Sequence, residues 1–273
     1  MAAPKRDAAA ASPLARVMRE FDELVRALET GLLRSLNTTA AAGSDTLDRD
    51  SIRREACRLA VSDLSTKYAR KHIRQSLHDA ECAGKRVEDH LQTITDTDNH
   101  HHHHPDLYPD HGDGGLCGLH NGYFRLYSTE LFDLLGQPTD LRFGSLRFHK
   151  SPPLPCPRPD LAPHAPASWV NVELALNDSF FVADSLETLP YHTFRLPTTP
   201  SLQNRGILSR KPEDNGVFPT FDSWLLFTFL GNGCIKLEVP VEMCADVYGG
   251  PLRGCENDEV LFWGFFVDDD MGS

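Results

Sequence analysis

Residues 224–239, WLLFTFLGNGCIKLEV, decide the fold class. A β-favouring run from Trp224 to Leu230 is followed by Gly231-Asn232-Gly233 and then by Ile235 to Val239. Two such runs joined by a short Gly/Asn turn form a β-hairpin, because these residues reach the positive φ that a tight turn demands. The second run has period two, with Ile235, Leu237, Val239 and Val241 on one face and Lys236 and Glu238 on the other. The first run is apolar on both faces, which assigns it to a central strand and places Trp224 and Phe227 in the core.

Working outward, Val260 to Val267 is apolar throughout and reads as another interior strand, ended by Asp268-Asp269-Asp270. Val170, Val172, Leu174 and Leu176 alternate with Asn171 and Glu173. Leu141-Arg142-Phe143 and Leu146-Arg147-Phe148 alternate around Gly144-Ser145, and the proline-rich residues 151–166 cannot form a central strand. A short helix is expected over residues 129–135, entered from Ser128 and stopped at Gly136.

The N-terminal third has a different period. Ser12-Pro13 is a capping hydroxyl followed by proline at the first helical position. Leu14, Val17, Met18, Phe21, Leu24, Val25, Leu28 and Leu32 then recur at three and four, an amphipathic helix. A second helical stretch begins near Ser51, its apolar phase shifts around Ser65-Thr66, and Ala69, Ile73, Leu77 and Ala80 follow, with Gly84 as the expected cap. The pattern predicts an α+β protein: a disordered tail over 1–12, a helical region over 13–95, a His/Asp/Gly/Pro-rich linker or loop over 96–116, and an antiparallel β-sandwich- or barrel-like domain over 117–273.

The chain has 273 residues with 27 Lys/Arg against 39 Asp/Glu, a net charge of −12. Residues 1–99 hold 16 of each sign and residues 100–273 hold 11 against 23, so the whole imbalance lies in the second part. Such acidity argues against nucleic acid as a partner. No stretch reaches the roughly 18 consecutive apolar residues of a membrane helix, so no membrane insertion is expected. The start, MAAPKRDAAAASP, lacks an apolar signal core, and the seven cysteines include no C-x-x-C pair. A cytoplasmic or nuclear setting follows as the expectation.

Four features invite a functional reading. His100–His104, with Asp106, Asp110, His111, Asp113 and His120 nearby, could bind transition metals, but a homopolymer fixes no ligand geometry, so no metal site is expected. Lys67, Arg70, Lys71 and Arg74 share one helix face, continued by His78, which suits an acidic protein partner or an internal contact. His149, His192, Glu173, Asp178, Asp184 and Cys234 lie in or beside expected strands, where a barrel could converge some of them. The sequence contains no G-x-S-x-G, G-x-x-x-x-G-K-[ST], G-x-G-x-x-G or H-E-x-x-H, so no catalytic residue is assigned and no cofactor is expected. Trp169, Trp224 and Trp263 fall on expected strands and either fill a core or line a cavity for an apolar small molecule.

Two functional readings result. The first is a soluble, non-catalytic binding or protein-interaction protein, with a β scaffold and a helical docking element. The alternative is a cofactor-independent isomerase, cyclase or hydrolase, or a small-molecule binder, using an apolar cavity in the β region. A filled interior separates the first from the second.

Overall fold

A computed structural model describes residues 12–39, 49–100, 116, 118–141, 143–150, 170–188, 193–211, 223–249, 252 and 258–269. The chain divides into two compact units, Met1–Ile73 and Arg74–Ser273, and the boundary falls inside a helix. Residues 1–11 of the tail expected over 1–12, the His run beyond His100 and the proline-rich stretch lie outside the described residues.

The first unit is built on α1 (Pro13–Thr39) and the opening turns of α2 (Arg49–His100). Ser12 caps α1, its hydroxyl accepting from the Ala15 N–H at 3.1 Å. The two helices run antiparallel, tied by Glu20 to Lys67 and, at 3.2 Å, to the Tyr68 hydroxyl. Val25 packs with Ala56 and Ala60, whose small side chains let the helices approach closely. Phe21, Leu24, Leu28 and Leu32 surround them, half-buried.

α2 is one continuous helix of 52 residues, so the apolar phase shift is not a break. Ile52, Ala56, Ala60 and Leu64 are the buried line of its first part; Leu77, and then Gly84 with Val87 and Leu91, take over in the part that belongs to the second unit. The helix also runs on to His100, past the boundary drawn at residue 95. Gly84 is not a cap. A Cβ built there would lie 2.0 Å from Cε3 of Trp263, so glycine is required for the helix to lie directly on the indole ring.

The second unit is an eight-stranded antiparallel sheet rolled into a nearly closed barrel, and the chain is α+β as the alternation predicts. Its strands are β1 (Gly122–Tyr127), β2 (Ser145–Lys150), β3 (Val170–Leu176), β4 (Ser179–Asp184), β5 (Arg205–Ser209), β6 (Ser223–Gly231), β7 (Cys234–Pro240) and β8 (Glu259–Asp268). Each strand neighbours the next in sequence, and β8 returns to β1 with Tyr127 opposite Trp263. Among the described residues β4 pairs with the β5 segment at the isolated bridge Val182–Arg210, just past the end of β5, whose two backbone hydrogen bonds are 2.8 Å long.

Local chemistry explains the hairpins. Gly231, Asn232 and Gly233 turn between β6 and β7 with φ of 84°, 51° and 65°. Asn177 adopts φ of 51° in the turn between β3 and β4, so Asn177-Asp178-Ser179 is a hairpin connection. Leu141 and Phe143 are irregular and not a strand. Val241, expected on the inward face of the second hairpin strand, instead opens α4 (Val241–Tyr248), because Pro240 ends β7 and its fixed φ suits the entry to a helix. The short helix α3 (Thr129–Leu134) is as expected, with the Ser128 hydroxyl accepting from Leu131 N–H at 3.0 Å.

The interior of the barrel is a packed core. Phe124, Phe148, Phe227 and Phe229 point inward with Leu146, Leu174, Ile207, Leu237 and Phe262, all at most 1% exposed. Ring centroids stand 5.8 Å apart between Phe148 and Phe227 and 5.4 Å between Phe194 and Phe227. Eight strands enclose a space that side chains can fill completely. β6 is apolar on both faces for a different reason from the one alternation suggests. Leu230, with Cys234 and Trp263, forms an outer patch that Val87 and Leu91 of α2 cover, whereas Trp224 stands half-buried outside the core cluster.

Candidate functional site

The residues with chemical potential gather on the outside of the barrel, at the β4–β5 seam. Strand register places them in two rows. His149, Asn171 and Asp184 are neighbours across β2, β3 and β4; Glu173, Val182 and Arg210 are neighbours across β3, β4 and the residue that follows β5. The turn Ser185–Glu187 that follows β4 adds Glu187. Together with Val172 and Ala183, whose side chains belong to the core, they line a cleft of about 310 Å³.

The cleft has two charged walls. On one, His149 Nε2 lies 3.6 Å from Glu173 Oε2; on the other, Arg210 Nη2 lies 3.0 Å from Glu187 Oε2. Asp184 accepts from Leu186 N–H at 2.9 Å, which holds the turn in place. Carboxylates outnumber permanent cations here by three to one. Phe180 and Leu186, 54% and 50% exposed, stand beside the cleft on the same strand and the turn that follows it.

Of the sequence candidates, His149, Glu173 and Asp184 are thus brought together, though on the outer face and not inside the barrel. Asp178 sits in the β3–β4 turn, and His192 and Trp169 lie outside the described residues. Cys234 is buried and burial pushes its thiol up to about 12, as it does for Cys244, so neither is a thiolate nucleophile. Among the described residues no group of three or more His, Cys, Asp or Glu is placed to hold a metal ion. Asn171, Glu187 and Arg210 were missed. Only the closing of the sheet sets Arg210 beside Val182, and no local pattern signals it.

The basic stripe on α2 is partly occupied. Lys67 is paired with Glu20, and Arg74 reaches Asp133 at 2.9 Å, whereas Arg70 and Lys71 are exposed. Glu20 is held below, and Lys67 above, its ordinary pKa range, the hydrogen bond between them being the main cause. No described helix is long and apolar enough to cross a membrane.

A second polar cluster lies where α2 meets β7 and β8. Lys236 pairs with Glu88 at 3.1 Å, and Glu238 faces Glu259. Desolvation, then the hydrogen bond and charge of Glu259, raise the Glu238 carboxyl above the usual range. A carboxyl raised in the folded state contributes stability at low pH that is lost as pH climbs through its folded value. Glu238→Gln is therefore expected to raise the melting temperature at pH 7.5 by a degree or more and to leave it unchanged near pH 4; equal effects at both pH values would refute the assignment.

Comparison with protein-family models, with curated proteins and with solved structures finds no match for this chain. The site's chemistry therefore rests on its geometry alone.

Proposed function

We propose that the protein is a non-catalytic interaction protein, its barrel a rigid scaffold and its α1–α2 hairpin the docking element for an acidic protein partner. The observation that carries this reading is the filled interior. Inward positions are apolar except on β5, where Arg205 and Ser209 share the register face of Ile207, and the buried polar residues Ser128, Ser185, Ser209 and Thr228 each make a hydrogen bond within the framework. Among the described residues no pair of polar groups converges inside the barrel, as an enzyme or a small-molecule carrier of this architecture would need. On the helices, ion pairing of Lys67 and Arg74 leaves Arg70 and Lys71 as the part of the stripe that supports contact with an acidic surface.

A two-armed experiment tests the reading. Anilinonaphthalene sulfonate and long-chain fatty acids, titrated to saturation, are expected to leave the melting temperature unchanged, because a ligand that binds only the folded state must raise it. Immobilised polyglutamate is expected to retain the native protein and to lose the Arg70→Glu/Lys71→Glu variant. A saturable thermal shift with the apolar ligands would instead favour a cavity-based carrier or enzyme, and equal retention of both proteins would remove the stripe as docking element.

A further inference from the structure

We propose that the cleft at the β4–β5 seam is a docking site for an extended, basic peptide segment of a partner protein. The inference goes beyond the helical docking proposed above and does not depend on it. Its first support is the sheet itself. Every other neighbouring pair of strands has two or more paired residues, whereas among the described residues β4 and the end of β5 share one bridge, Val182–Arg210. Where adjoining strands part, backbone is left for an incoming extended chain to pair with, and alternate side chains of that chain then reach pockets on the sheet surface.

The second support is charge. Glu173, Asp184 and Glu187 line the cleft against the single guanidinium of Arg210. Arg210 is already matched by Glu187, so Glu173 and Asp184 are the carboxylates that a lysine or arginine of the partner would meet. Residues 100–273 carry 23 acidic against 11 basic residues, so the field around the scaffold steers a basic chain toward it.

The third support is the mixed lining. Val182, half-buried on the outer face between Glu173 and Arg210, gives the cleft an apolar surface on which the methylene stem of such a side chain can lie, with the charged head at the carboxylates. Phe180 and Leu186 offer exposed apolar surface on either side for the neighbouring residues of the segment. At about 310 Å³ the cleft matches the small end of ligand pockets, the size of one or two side chains and not of a folded domain.

The test uses the full chain and a short fluorescein-labelled peptide alternating lysine and valine, followed by anisotropy. The native protein is expected to bind it, with affinity falling as salt rises from about 0.05 to 0.3 M. Glu173→Gln/Asp184→Asn, whose asparagine can still accept from Leu186 N–H, is expected to weaken binding about tenfold, and Phe180→Ser, which leaves every charge in place, several-fold. Asp89→Asn, an exposed carboxylate on α2, controls for general acidity and is expected to change nothing. Circular dichroism confirms that each variant is folded, and Phe180→Ser keeps the test open if the double variant is not. Unchanged affinity in the folded cleft variants overturns the proposal. So does an equal loss with Asp89→Asn, equal binding of the glutamate–valine peptide, or equal competition by spermine at matched charge.

Discussion

Phe227→Ala is expected to cost about 3–5 kcal/mol of stability, the range for deleting a fully buried aromatic side chain. Phe227 is 0% exposed and its ring stands against Phe148, Phe194 and Phe229 at 5.4–6.1 Å between centroids. Truncation removes the transfer free energy of the ring and leaves a void whose other walls are themselves rings. Rigid aromatic neighbours on β2 and β6 collapse into that space poorly, which places the change toward the upper part of the range. Urea unfolding followed by far-ultraviolet circular dichroism measures it, and a change below about 1 kcal/mol, typical of exposed positions, would mean the barrel is not packed around this residue.

Gly84→Leu is expected to detach the second part of α2 from the barrel. In general a helix gains about 1 kcal/mol when an interior glycine is replaced by a good helix former. Here the added Cβ alone would sit 2.0 Å from Cε3 and 2.6 Å from Cδ2 of Trp263. An indole held at 3% exposure between Leu230, Cys234 and the helix has nowhere to swing, so the helix must lift. That exposes Trp263 and undoes the packing of Val87 and Leu91 together with the Lys236–Glu88 pair. The overpacking penalty of about 1–3 kcal/mol or more outweighs the propensity gain. Hydrogen exchange should quicken across residues 84–95 while the β2–β3 amides stay protected. Unchanged protection of the helix would show that the ring yields instead.

Much of this architecture was legible along the chain because it depends on neighbours in sequence. Trp224 to Val239 carries its own turn chemistry, and Ser128 and Ser12 carry their own caps, so these elements needed no distant partner to be read. Gly84, by contrast, looks like a helix stop, since a glycine after an apolar stripe commonly is one. Its actual role depends on a ring from Trp263, far along the chain. The phase shift at Ser65-Thr66 likewise looks like a break when it records a change of buried face along one helix.

The candidate site was half visible for the same reason. His149, Glu173 and Asp184 stand out as polar residues at strand positions, and period two puts each on a definite face of its own strand. Alternation alone does not say whether that face is the inside or the outside of a closed sheet, nor which strand comes last to rest against β4. What the sequence by itself determined is the local part: the helical third, the hairpins, and the acidic character of residues 100–273, since propensity, turn stereochemistry and charge act over a few residues. Only the tertiary structure decided that the sheet closes through one bridge between Val182 and Arg210, that Phe227 and its neighbours fill the interior, and that the polar groups share an outer cleft with Glu187 and Arg210. Closure joins segments distant in sequence, and burial of the aromatic face, which is non-directional and roughly proportional to area, supplies the driving force without leaving a local signature of which strands will meet.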